Sequence, residues 1–206
     1  MRKGRMTMRS LGALAALLLS ACGTTQTTIP YAPTSPVARA AQGSGQVAMG
    51  RVTDARPNAE SSARNWVGTI RGGFGNPIKQ LDTAAPVAEV VRDAFRDGLA
   101  ARGLLAPEGA PARQVLDVVV ERFNANQMVQ REAQARFGVT LAERQGGAVR
   151  WRGAGEATHN STSAGSVLVG SGVLASVEEL RLTAQRAMSD AVDNALDSPG
   201  FRAAVR

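Results

Sequence analysis

The chain has 206 residues, 44% of them hydrophobic and 20% charged, which suits one domain with appendages and a core that needs no staples. One cysteine, Cys22, excludes an intramolecular disulfide framework and multi-thiolate metal sites, and one histidine, His159, leaves little material for a zinc or non-haem iron centre, so no cofactor is expected. The net charge of +7 invites a nucleic-acid reading, but Arg2, Lys3, Arg5 and Arg9 all precede Leu11, and the remainder holds 20 bases against 17 acids.

Residues 1–10 are basic and free of acids, Leu11 to Leu19 is a short apolar run, and Leu19-Ser20-Ala21-Cys22 follows. A charged start, an apolar stretch and small residues at its end make a secretory signal over 1–21, too short to span a bilayer. Leu19-Ser20-Ala21-Cys22 resembles a bacterial lipobox. The resemblance implies a diacylglycerol on the Cys22 thiol, cleavage before Cys22 and acylation of the new amine. Two or more acyl chains make membrane attachment stable. Gly23, where an aspartate would favour inner-membrane retention, implies sorting to the periplasmic leaflet of the outer membrane. That compartment sets nucleic acid aside as a partner.

Residues 22–45 carry Thr24, Thr25, Thr27, Thr28, Pro30, Pro33 and Pro36 and no hydrophobic period. They read as a tether able to hold a domain about 60 Å from the membrane, with the domain itself spanning 46–206. Gln46–Thr53 then reads as a strand. Asn65–Arg71 and Pro77–Leu81 read as a hairpin around Gly72–Asn76. Residues 84–102 are a helix, with Val87, Val90, Val91, Ala94, Phe95 and Leu99 on one stripe and Gly103 as its stop.

Three strands follow. Gln114–Arg122 places Leu116, Val118 and Val120 on one face and Val115 and Val119 on the other, which suggests cover on both faces. Glu132–Glu143 alternates cleanly, and Gln145-Gly146-Gly147 turns it into Ala148–Thr158. A last helix runs from about Val177 to Leu196, with Ser176 and Glu179 at capping-box spacing and Ser198-Pro199-Gly200 as its stop. The order predicts an α+β two-layer sandwich, a mixed or antiparallel sheet of about four to six strands with two helices on one face.

Catalytic patterns are thin. Val167 to Ala175, with Gly170, Gly172 and Ala175 in G-x-G-x-x-A spacing, resembles a dinucleotide loop, but no following strand can carry the ribose-binding acid. His159, in a small polar stretch, reads as a solvated side chain. A triad with Asp190 or Glu156 lacks a G-x-S-x-G elbow. Asp93/Asp97 and Asp190/Asp193 read as solvent-facing helix positions beside Arg92, Arg96 and Arg186. Arg131, Arg136, Arg144, Arg150 and Arg152 cluster on one hairpin. Of these, Arg136, Arg150 and Arg152 face away from the Phe137 and Trp151 stripes, as a surface for an anionic partner or as a solvated face.

The mature domain also resembles the YajG-like lipoproteins. The resemblance rests on the lipobox and Thr/Pro segment, the Val47–Thr53 strand, the Val87–Leu99 helix ending Ala101-Arg102-Gly103-Leu104, the Leu116–Val120 strand, the hairpin through Phe137 and the final helix. That family has no established activity. The expectation is a lipid-anchored, non-catalytic accessory or binding protein of the envelope, with an envelope protein or lipid as partner. The alternatives are a hydrophobic-ligand carrier and a hydrolase of cell wall or lipid.

Overall fold

A computed structural model describes residues 24–39, 47–57, 62–107, 109–162 and 176–205. The signal segment, Cys22 and the 167–175 motif lie outside the described residues. Chain order is β1 (Thr24–Thr27), β2 (Val47–Asp54), β3 (Trp66–Arg71), β4 (Pro77–Thr83), α1 (Val87–Ala101), β5 (Gln114–Gln127), β6 (Gln130–Glu143), β7 (Val149–Thr162), α2 (Val177–Leu196) and α3 (Pro199–Ala204). The α+β class is as expected. The described sheet has seven strands rather than four to six, and a third helix is present.

β5 is the axis of the sheet. One edge pairs antiparallel with β6 along its whole length, and β6 pairs antiparallel with β7. The other edge is shared. β2 lies parallel to its first half, from Val47↔Gln114 to Asp54↔Val120, and β3 lies parallel to its end, from Gly68↔Ala125 to Ile70↔Gln127. β4 returns antiparallel to β3, and β1 adds to β4 in parallel. Arg56 fills the join between β2 and β3. Its five N–H groups are all used, on the Asp54 carboxylate and on the carbonyls of Arg64, Trp66 and Phe123.

One face of the sheet is covered and the other is open. Leu116, Val118, Val120 and Phe123 of β5 and Ala133, Ala135, Phe137 and Leu141 of β6 are buried beneath the helices. The Phe137 ring meets Phe95 of α1 at 5.7 Å and Phe123 at 6.3 Å, both edge to face. The expected cover on both faces is not there: Val119 is exposed. β5 also runs past Arg122. A bulge leaves both Glu121 and Arg122 outward, after which Phe123 resumes the inward face.

α2 crosses the covered face, and at β7 the approach is close. A Cβ on Gly155 would stand 1.9 Å from the carbonyl oxygen of Ala191, so only glycine fits there. Ser176 caps α2 by accepting from the Glu179 N–H, as its spacing suggested. Ser198-Pro199 ends α2 and also opens α3: the Ser198 hydroxyl accepts from the Phe201 N–H, and Pro199 sits at the first helical position, where no donor is missed. Phe201 then packs edge to face on Trp151 at 5.5 Å.

The largest departure concerns the expected tether. Residues 24–39 are not a free spacer. Thr24–Thr27 pair with Gln80–Thr83, Ile29 is buried in the core, and the following residues lie along α2. A polar strand is added through backbone hydrogen bonds, which need no apolar period in the sequence. It also covers the otherwise unpaired edge of β4.

Candidate functional site: the strap junction

The described polar groups gather where residues 28–37, here the strap, cross α2. Asp190, Asp193 and Asp197 follow one another at helical spacing and face the strap and α1. Arg102, one residue beyond the end of α1, reaches into this row with a side chain only 3% exposed. Its Nε and Nη2 hold both oxygens of Asp197 at 3.0 and 2.6 Å, and Nη2 also donates to Asp193 at 2.9 Å. Nη1 donates to the Gly98 carbonyl and to the Tyr31 hydroxyl. Every N–H is used, as a buried guanidinium requires.

Tyr31 donates in turn to Asp193 at 2.5 Å. Burial, then this bond to a carboxylate, pushes the Tyr31 hydroxyl up to about 12. Burial works against charge on Arg102, but its bonds to Asp197, Asp193 and Tyr31 outweigh it, and the guanidinium is held well above its ordinary value. Burial likewise pushes the Asp197 carboxyl up, and bonds from Arg102 and Arg202 more than reverse this, leaving it below the usual aspartate range.

Beyond Tyr31 the strap is pinned twice more. The Ala32 N–H donates to the Ser189 hydroxyl at 3.0 Å, and the Thr34 hydroxyl donates to Asp190 at 2.6 Å. The other oxygen of Asp190 is 2.6 Å from Nε2 of His159. A cleft of about 510 Å³ opens there, between Thr34–Val37 on one side and Ala157–His159 and Asp190–Asp197 on the other.

Two expectations are corrected here. His159 lies in strand β7 and binds Asp190, rather than sitting in a solvated loop. Asp190 and Asp193 are not free on a solvent face: the strap covers them and they bind His159, Thr34, Tyr31 and Arg102. The Asp93, Arg96 and Asp97 group is exposed, as expected. A hydrolytic triad needs a hydroxyl or thiol against the free nitrogen of the imidazole. Among the described residues no such bond is made, and the Thr34 hydroxyl donates its hydrogen bond to the Asp190 carboxylate.

Of the arginines expected to face an anionic partner, Arg136, Arg150 and Arg152 lie on the open face, Arg150 and Arg152 two residues apart on β7. Arg136 is held between Glu121 at 2.7 Å and Glu156 at 2.5 Å, and those two bonds raise its pKa. Arg150 is 3.5 Å from Glu143. Arg152 makes no ion pair among the described residues and stands four residues from Glu156, about 13 Å along β7. Arg131 leaves the group altogether: it is buried on the covered face and binds Glu179 and Gln127. Among the described residues no group of acidic or sulfur side chains could hold a metal ion.

Comparison with known structures gives the fold. The chain is similar to protein XCC0632 of Xanthomonas campestris, from the DUF330 family, with a TM-score of 0.54 at 14% identity over 84% of this chain and 92% of that one. It also matches PelC of Paraburkholderia phytofirmans, a dodecamer, at 18% identity over 78% and 94% of the chains with a TM-score of 0.40. The lipoprotein GNA1162 of Neisseria meningitidis matches at 13% identity over 61% and 90% with a TM-score of 0.29. No family model matches the chain, and no curated protein matches it.

What the residue pattern missed is the strap junction itself. Arg102 and Asp197 are separated by 95 positions and Tyr31 and Asp193 by 162, so no local spacing signals them. The one sequence signal was compositional: a lone tyrosine within a Thr/Pro-rich stretch.

Proposed function

We propose that this chain is a lipid-anchored envelope protein, attached through Cys22 to the periplasmic leaflet of the outer membrane, whose α+β domain is a non-catalytic binding or accessory module. The observation that carries the reading is the position of Leu19-Ser20-Ala21-Cys22, which ends two residues before a strand fixed in the sheet. The anchor is thereby joined to the fold itself. No described helix is long and apolar enough to cross a membrane, so attachment falls to the acyl chains in this reading. The YajG-like resemblance supports the same reading through element order alone.

Mass spectrometry of the mature N-terminus tests the anchor: acylated Cys22 is expected, and an unmodified residue at a different N-terminus would overturn it. The carrier alternative needs an open apolar cavity, whereas Phe95, Phe123, Phe137, Leu116 and Met188 fill the layer between sheet and helices. The hydrolase alternative draws on His159 and Asp190. Purified protein should turn over neither cell-wall fragments nor phospholipid. Turnover that persists through purification and disappears in His159→Ala would replace the accessory reading.

A further inference from the structure

The sheet has two unlike ends. β3 runs parallel to β5, with Ile70 beside Gln127, so the turn after Arg71 and the turn after Gln127 leave the sheet at the same end. Both turns carry bare apolar side chains. Phe74 is 102% exposed at the apex of the first, and Met128 and Val129 are 49% and 60% exposed in the second. The first turn is compact, closed by a bond from the Gly75 N–H to the Gly72 carbonyl and braced by Arg71, which donates to the Gly75 carbonyl. It presents Phe74 outward with no neighbour to pack on.

β1 starts toward this same end. β1 is parallel to β4, and Thr24 lies beside Gln80, three residues above Pro77, where β4 leaves the turn. The N-terminal end of β1 therefore faces the Phe74 turn. Cys22 is two residues back, so its Cα lies within about 8 Å of that of Thr24. The opposite end of the sheet carries the 144–148 turn with Arg113, Arg144 and Arg150, and no described apolar side chain there matches the Phe74 and Met128–Val129 pair of tips apart from Val149.

We infer that Phe74, Met128 and Val129 enter the headgroup layer of the leaflet that holds the Cys22 acyl chains, so that the domain stands end-on against the lipid surface. The inference rests on the proposed lipidation of Cys22 and adds an orientation to it. A domain on a free tether of 60 Å would have no reason to prefer one end. With residues 24–39 fixed in the fold, the anchor brings these two turns to the membrane and leaves the arginine end facing away. Exposed aromatic and thioether side chains gain by leaving water for the interface, without charge pairing.

The test uses the mature acylated protein in nanodiscs of phosphatidylethanolamine and phosphatidylglycerol. Cys22 is the one cysteine of the chain and is consumed by its thioether, so an introduced cysteine is the single free thiol. An environment-sensitive fluorophore is placed by Phe74→Cys, by Met128→Cys and, at the far end, by Gln145→Cys. The first two are expected to show blue-shifted emission that is quenched by lipids spin-labelled near the headgroup, in low and in high salt. The third is expected to show neither. Protein that stays on the discs with all three labels equally exposed overturns the inference while leaving the anchor standing. A blue shift without lipid quenching means that protein covers the tips and also overturns it. Protein that does not stay on the discs removes the anchor and this inference together.

Discussion

Arg102 and Arg136 are both arginines held between two carboxylates, and water is what separates them. Arg102 lies between Asp193 and Asp197 with its side chain 3% exposed, whereas Arg136 lies between Glu121 and Glu156 with 44% exposed. At the strap junction the guanidinium has been taken out of water and its carboxylates partly so, and each depends on the others. On the open face each group keeps its hydration, and the pairing adds little. An identical charge pattern is therefore structural in one region and decorative in the other. A helix-wheel view of α2, which counts Asp190 and Asp193 as polar and outward, cannot tell the two regions apart.

The comparison is broken most severely by Arg102→Ala. It leaves Asp193, Asp197 and the Tyr31 hydroxyl half-buried around an absent cation, with Arg202 still on Asp197, at a cost of about 3 kcal/mol, the low end for a broken buried pair. The melting temperature should fall by on the order of 10 °C, read by circular dichroism or calorimetry. Arg102→Lys should recover only part of this, because an ammonium cannot serve five directions in a plane.

Next in size is removal of residues 24–39 with Cys22 and Gly23 kept. It strips β1, the buried Ile29 and the Tyr31 and Thr34 contacts, and should lower the melting temperature by at least about 5 °C. A protein that melts unchanged would restore the tether reading.

Smaller effects follow from pH. Asp197 is held below the usual aspartate range, so the folded state binds fewer protons than the unfolded one. Its stabilisation is present above about pH 4 and is lost as pH falls through the lowered value. Asp197→Asn should flatten the acid limb of a stability-versus-pH curve. Tyr31 is the opposite case. Its contribution is complete below its ordinary 10.0 and is lost as pH rises toward about 12. Tyr31→Phe should abolish that alkaline loss in urea-melt measurements.

The smallest effect belongs to Arg136→Ala, which should leave the melting temperature within measurement error. A large drop would show that the open face is covered in the working protein and that its ion pairs are buried there.

Elements with an apolar period were readable from residues alone. Val87 to Leu99 named α1, Ala133 to Leu141 named β6, and Leu180 to Ala195 with Ser176 named α2. The failures have separate causes. β5 seemed to end at Arg122 because one bulge shifts the alternation by a residue. Ser198-Pro199-Gly200 reads as a stop, and the same serine and proline are also a good helix start. β1 is held by its backbone, so Thr24-Thr25-Gln26-Thr27 carries no side-chain signature. The strap junction joins residues from the two extremes of the chain, and each of its members, taken alone, resembles surface.

Those extremes impose an order of events. The partners of Tyr31, Ala32 and Thr34 lie on α2, between 156 and 162 positions later. The hairpins and α1 can form from near neighbours, whereas the strap cannot close until the last fifth of the chain is in place, the slow step that such long loops entail. Until then residues 28–39 are a leash of roughly 40 Å, and afterwards they are a clamp of no length at all. A chain truncated before Val177 should keep this segment open to protease, while the whole chain protects it. On that account the protein is on a long lead while it folds, and its completed C-terminal helix draws it in.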